Sequence, residues 1–329
     1  MGRMICTAIF LTLIVLLPDD HRQENALKAT IEQAESARPV DPSTTGEAIL
    51  ALARFLQDHA RYHDAEPLLV RSTEIDEAVH GPSSMEAAAG WVRLAVLYHA
   101  EFRPDLEEPA ARKAADLVQK LRGSDSLEYA YASANLAVAL AGLGQSARAE
   151  PLLRRAYFLM QKSLPESHAA IRSMEANLGM IYLREGEVRN ADPLLRNALE
   201  KSDPADSQAR AAALAAVAEL SIAEGQWAEA ETMIGQAYRL VVARDPAHPS
   251  LIGLLRLRAT VESHLGTLRQ AAIDLSRSIE LVKPLAGSES ITFMTILNEY
   301  ADVLHRLGRN GEAKEARRSA KSIRQLLKN

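Results

Sequence analysis

A single cysteine, Cys6, stands in the whole chain. It leaves no internal disulfide framework and no cysteine-based metal site to build on. Lipidation of Cys6 would need a pair of small residues before it, and Arg3-Met4-Ile5 does not supply them. Aromatic residues are scarce as well, at 5% against 47% hydrophobic residues in all, so the core must be built mainly from Leu and Ala. Nowhere do Val, Ile, Thr and aromatic residues alternate over six residues, which argues against half-buried strands. A basic surplus is also missing: the net charge of −5 argues against a nucleic-acid partner. The sequence contains no H-E-x-x-H, G-x-S-x-G or G-x-x-x-x-G-K-[ST]. Gly142-Leu143-Gly144 begins like a phosphate loop but falls at a helix-to-helix turn rather than after a strand. No catalytic residue, cofactor or metal is therefore implied.

What is abundant is Ala, Leu, Glu and Arg, all strong helix formers, in almost every window. The fold class that follows is all-α. At the N-terminus Arg3 precedes an apolar run, Ile5 to Leu17, and Pro18-Asp19-Asp20 follows it. A short apolar stretch behind a positive residue is the pattern of a secretory signal. As a helix the run reaches about 20 Å, short of the roughly 30 Å hydrocarbon core, which favours a signal peptide over a spanning helix. No small-x-small cleavage site follows cleanly, so an uncleaved membrane tether stays open. Either way, the arginine before and the aspartates after place the rest of the chain outside the cytoplasm.

A repeat dominates the remainder. Glu66-Pro67-Leu68-Leu69, Glu108-Pro109, Glu150-Pro151-Leu152-Leu153 and Asp192-Pro193-Leu194-Leu195 place their prolines 42 residues apart each time. Ala60, Phe102, Gly144, Gly186, Gly225, Gly266 and Gly308 extend the series at spacings of 42, 42, 42, 39, 41 and 42. That makes seven units of helix, tight turn and helix. First helices carry Trp91-x-x-Leu94-Ala95-x-x-Tyr98 or its equivalents, such as Leu136-Ala137-x-x-Leu140. Second helices repeat a small residue at Ala65, Ala149, Ala191, Ala230, Ala271 and Ala313. One hairpin cannot bury such an apolar stripe alone, so neighbours must stack. The small residues belong where paired helices come closest, and the recurrent proline is expected in the first turn of each second helix. Loops such as Gly81-Pro82-Ser83-Ser84 and Gly123-Ser124-Asp125-Ser126 supply N-caps. Two units depart from the pattern. Unit two has Glu107 at the small position and reads as one residue too long. Unit six has Arg258 and Glu262 at apolar positions, which predicts loose or irregular packing.

The chain thus divides into residues 1–20 as signal peptide or anchor, 21–44 as capping helix and linker, and 45–329 as a repeat array. In the second segment, Asn25 to Ala37 can pack on the first unit. The basic residues of the last helix, from Lys314 to Lys328, read as a solvated terminal face. His59 and His63 have the spacing of a metal pair but straddle a turn, and read as exposed turn histidines. His80, His168 and His248 recur in the loops between units and read as loop hydrogen-bonding groups.

W-x-x-L-A-x-x-Y followed by A-E-P-L-L-x-R-A resembles the tetratricopeptide repeat. The 42-residue period, the A-E-P-L phrase and His248-Pro249 are similar to the kinesin-light-chain subtype. The resemblance implies an α-solenoid of about seven antiparallel helix-turn-helix repeats, curved into a superhelix with first helices lining the concave face. Aligned units put Arg93, Asn135 and Asn177 at one first-helix position, with Arg54, Tyr131, Met180 and Arg184 nearby. Asparagines at this position in related repeats hold the backbone of an extended peptide. An amide donates and accepts at once, so it can pair with any peptide unit, and arginine adds a fork for a carboxylate. Alternatively, Asn135 and Asn177 bond to neighbouring first helices and stabilise the stack. The implied function is a protein-binding scaffold that takes an extended peptide or a helix of a partner. The alternative is a structural module of an envelope assembly that uses its convex face or its ends.

Overall fold

The computed structural model describes residues 18–286 and 290–326. Among these residues there are only α-helices and turns. α1 (Pro18–Ser36) precedes seven hairpins: α2 (Pro42–Asp58) with α3 (Tyr62–His80), α4 (Met85–Ala100) with α5 (Pro104–Arg122), and α6 (Leu127–Gly142) with α7 (Ser146–Ser163). These continue as α8 (Ala169–Arg184) with α9 (Val188–Glu200), α10 (Ser207–Ala223) with α11 (Trp227–Arg244), α12 (Leu251–Leu265) with α13 (Leu268–Ala286), and α14 (Ile291–Arg306) with α15 (Asn310–Leu326). The apolar run from Ile5 to Leu17 lies outside the described residues. No described helix is long and apolar enough to cross a membrane.

Local chemistry starts and stops these helices. Asp41, Ser84, Ser126, Asp206 and Ser290 each accept from backbone N–H groups in the first turn of the helix that follows. His168 and His248 act similarly through Nδ1, accepting from Ala170 N and Ser250 N at 3.2 Å. Within each hairpin the turn residue takes positive φ in all seven units. Five of these residues are glycine, but Ala60 and Phe102 adopt φ of 54° and 56° with a side chain attached. A left-handed residue with a Cβ is strained by about 1–2 kcal/mol, part of which is offset by the greater freedom glycine has in the unfolded chain. Ala60→Gly should therefore raise stability by about 0.5–1 kcal/mol, read as a higher urea midpoint at unchanged slope. A lower midpoint would show that the Ala60 methyl contributes packing that outweighs its strain.

The recurrent proline does not sit in the first turn as its sequence pattern suggests. Pro67, Pro109, Pro151 and Pro193 lie one turn further in, because each second helix begins two residues after the positive-φ residue. Each proline is exposed, as are the residues four earlier, His63, Asp105, Ala147 and Arg189. The carbonyl deprived of its partner is therefore open to water, which keeps the defect small. α5 starts at the same offset from its turn as α3 and α7, so unit two carries no extra residue. Its Glu107 is buried at the small position and is bonded to His99 Nδ1 at 3.1 Å.

Small residues do mark the closest approaches. Ala65, Ala149, Ala191, Ala230 and Ala271 are fully buried. A Cβ on Gly179 would stand 2.5 Å from Leu195 Cδ2, and one on Gly90 would stand 2.7 Å from Thr73. These glycines let a first helix of one unit sit directly on a second helix. α1 begins seven residues before the expected Asn25. Pro18 at its start and Asp19 and Asp20 in its first turn are good helix-start residues, a signal masked by the apolar run before them. Arg61 Nη1 donates to Glu24 at 2.6 Å and Arg71 pairs with Glu35, tying α1 to α3. On α15, Lys314, Arg317, Arg318, Lys321 and Arg324 are exposed, as a solenoid end requires.

Unit six is not loose. Arg258 pairs with buried Asp274 of α13, with Nη2 at 2.6 Å from Oδ1, and its guanidinium lies 4.5 Å from the Tyr238 ring centroid. A charged contact has replaced the apolar one.

Candidate functional site

The stacking makes an inner face. α4 packs on α6, α6 on α8, α8 on α10 and α10 on α12, whereas no two successive second helices come as close. First helices are therefore crowded on the inside of the curve. The superhelix then meets itself: Thr292 Oγ1, in α14, donates to the Phe102 carbonyl at 3.3 Å, and the Phe102 ring packs on the core of the last two units.

Inside this turn lies a cavity of about 470 Å³, bounded by His99 and Phe102 on one side, by Met180 and the α10 face (Ala211, Ala215, Glu219), and by Gly253, Leu254 and Leu257 of α12. Its wall is mostly apolar. Glu219 is half-buried there and makes no hydrogen bond among the described residues. Burial raises its pKa above the ordinary carboxylate value, and the Arg184 and Arg256 charges partly offset that rise. Arg256 itself is committed to Glu299, with Nε 2.8 Å from Oε2. At the cavity edge the carboxylate of Glu107 holds the His99 pKa up.

The seven residues singled out from the sequence divide into four groups. Met180 lines the cavity. Arg54 and Tyr131 are exposed and unpaired among the described residues. Asn135 and Asn177 are half-buried, and neither amide makes a hydrogen bond among the described residues, so they do not bridge neighbouring first helices. Arg93 and Arg184 are already engaged. Arg93 Nη2 donates to Asp76 of α3 at 2.6 Å. Arg184 Nη1 donates to the Ala141 carbonyl at the end of α6 at 2.7 Å. Arg306 repeats the Arg184 contact three units on, donating to the Ser263 carbonyl at 2.7 Å, so this arginine position clasps the exposed end of the preceding first helix.

The sequence reading missed Glu219, His99 and Phe102. Glu219 occupies in unit five the register position of Arg54 and Met180, six residues before the turn. Carrying the inner-face register across the shorter 39-residue step would have found it. Phe102 could not be found that way, because its role comes from the superhelical closure.

Among the histidines, His59 is half-buried rather than exposed. Its Nδ1 lies 2.7 Å from the Phe55 carbonyl, and its ring is 4.2 Å from the Phe55 ring. His63 is separated from it and gathers instead with Glu66 and Glu101, ligand atoms within 4.8 Å of one another. Arg103 Nη1 donates to both carboxylates at 3.0 Å, so a cation entering this cluster would have to displace a guanidinium already neutralising it.

The tetratricopeptide repeat family model matches residues 174–208, from mid-α8 through α9 into α10. No curated protein matches the chain. Among solved structures, a Rap protein complexed with Competence and Sporulation Factor superposes with a TM-score of 0.70 at 15% identity, covering 92% of this chain and 79% of that one. The Rap conjugation gene regulator of plasmid pLS20, in complex with the Phr* peptide, gives 0.64 at 13% identity over 98% and 80%. BtubC (BKLC) from P. vanneervenii gives 0.53 at 23% identity over 69% and 92%. With the seven stacked hairpins, these likenesses define an α-solenoid. The chain has the fold of tetratricopeptide-type repeat proteins, and the family model itself matches at residues 174–208.

Proposed function

We propose that this solenoid is a scaffold that holds an extended peptide or a helix of a partner protein along its inner face. The observation that carries the proposal is the pair of amides, Asn135 and Asn177, at the same first-helix position in successive units, half-buried and without a hydrogen bond among the described residues, with Tyr131 and Met180 one turn away. A half-buried amide without an internal partner gives up only bonds to water on meeting a peptide backbone, and it supplies both a donor and an acceptor. The apolar cavity further along the same face offers a seat for one side chain. Two of the similar structures are complexes, one of them with a peptide.

Affinity purification from the native host tests this with the double variant Asn135→Ala, Asn177→Ala. The partner should be lost, or weakened by about tenfold or more, while the unfolding free energy changes by less than about 0.5 kcal/mol, because no internal bond is removed. Recovery of the same partner by the variant would move the contact to the convex face or the ends.

The N-terminal pattern supports export of this scaffold. Residues 1–24 fused to a reporter enzyme that is active only outside the cytoplasm should give activity, and Ile9→Asp with Val15→Asp should abolish it. Activity confined to the cytoplasm would overturn export and leave the binding proposal untouched.

A further inference from the structure

A second cavity, of about 520 Å³, opens beside the first, between the start of α10 and the C-terminal half of α11. The two share Ser207, Leu240 and Arg244, so one ligand can reach both. The lining of the second differs sharply in charge: it holds three arginines, Arg210, Arg239 and Arg244, and no carboxylate. Arg210 Nη1 donates to Ser202 Oγ at 3.2 Å and Arg244 Nη1 to Gln208 Oε1 at 2.9 Å, both neutral acceptors. Arg239 has no hydrogen-bond partner, and none of the three joins an ion pair, among the described residues. An arginine of the preceding unit shows how differently these side chains are handled elsewhere, since Arg196 alone meets Asp192, Glu224 and Glu229.

Three guanidinium groups around one cavity repel each other until an anion joins them, and a carboxylate matches the guanidinium fork in shape as well as charge. The neighbouring cavity is apolar. We propose that the arginine cavity takes the acidic group of a peptide whose adjacent apolar side chain fills the inner-face cavity. The ligand class is thus an acidic, apolar peptide, its carboxylate coming from an Asp or Glu side chain or from the C-terminus. This rests on the scaffold reading and narrows it.

The test begins with a random peptide library displayed on phage and panned on the full chain. The best binder is then synthesised with a fluorescent label in four forms: parent, acidic side chain converted to its amide, C-terminus amidated, and acidic residue replaced by Lys. Fluorescence anisotropy reads each form against the wild type and Arg239→Glu, an exposed position whose change breaks no internal bond. The expected result is that one of the two neutralised forms binds the wild type about tenfold more weakly, which says which carboxylate is read. Arg239→Glu should weaken the parent by a similar factor and should bind the Lys form better than the wild type does. Selected peptides without a carboxylate preference, or a parent affinity unmoved by Arg239→Glu, overturn the arginine proposal. If Asn135→Ala with Asn177→Ala still abolishes binding of those peptides, the scaffold reading stands without it. A wild type that selects no peptide at all overturns both.

Discussion

Arg258→Ala should lower the unfolding free energy by about 3–5 kcal/mol, the largest loss expected from any single substitution here. In units one to four this first-helix position holds a buried leucine, Leu52, Leu94, Leu136 or Leu178, and in unit five it holds buried Val217. Opposite it on the second helix, Leu68, Leu152 and Leu194 occupy the place of Asp274. Unit six has exchanged an apolar pair for a charged one across the same gap. Asp274 is 1% exposed, accepts from Arg258 through both oxygens, and takes a further bond from Gln270 at 3.3 Å. Glu262 Oε1 lies 3.8 Å from the same guanidinium. Removing the arginine leaves two carboxylates facing each other in a low-dielectric interior with no cation between them. The double variant Arg258→Leu, Asp274→Leu separates this account from a simple loss of packing. It restores the contact of the sister units and should be at least as stable as the wild type, since buried ion pairs seldom outperform well-packed apolar side chains. Chemical unfolding of the three proteins decides the matter. A double variant no better than Arg258→Ala would show that the pair specifies the packing in a way leucines cannot replace.

That pair also marks how far the sequence could be read. The hairpins were legible because each unit repeats one stripe of large aliphatics and one small residue, and both fall where helix geometry needs them: Ala149 and Ala191 are fully buried, and Gly179 leaves room for Leu195 alone. Arg258 and Glu262 were visible as exceptions but suggested looseness, because the compensating residue, Asp274, sits in the next helix at a position where a half-buried polar residue attracts no notice. Glu107 belongs to the same class, its partner His99 lying on the preceding helix. Of the candidate groove, register placed Asn135 and Asn177 at one position in successive units but left open whether their amides bond to neighbouring first helices. The engagement of Arg93 with Asp76 and of Arg184 with Ala141 did not follow from it, since a long flexible side chain chooses among neighbours that register alone does not rank. The inner-face cavity is walled in part by His99 and Phe102, which the superhelical closure brings there, a consequence of three-dimensional pitch rather than of any one unit.

Glu262 makes unit six a pH-sensitive element. Its pKa is raised to about 7, first by burial and then by the Asp274 charge, with Arg258 pulling the other way. One carboxylate oxygen, Oε2, is buried with no hydrogen-bond partner. An unpaired buried oxygen is costly when charged and much less so when protonated. Between the unfolded value of 4.5 and the folded value of about 7 the native state therefore holds a proton that the unfolded chain has released. The contribution of this group is complete below the unfolded value and is lost as pH rises through the folded one, about 3 kcal/mol in all. Glu101 and Glu219, also raised by burial, and His99, raised by Glu107, tilt the wild-type profile the same way. Only the difference from Glu262→Gln isolates this group. The amide keeps the shape without the charge, so the variant should match the wild type near pH 4.5 and exceed it by about 2–3 kcal/mol at pH 8. Urea unfolding of both proteins at the two pH values measures that gap. Two profiles that run parallel across the interval would mean that Glu262 is ionised at little cost, and that Arg258 serves both carboxylates at once.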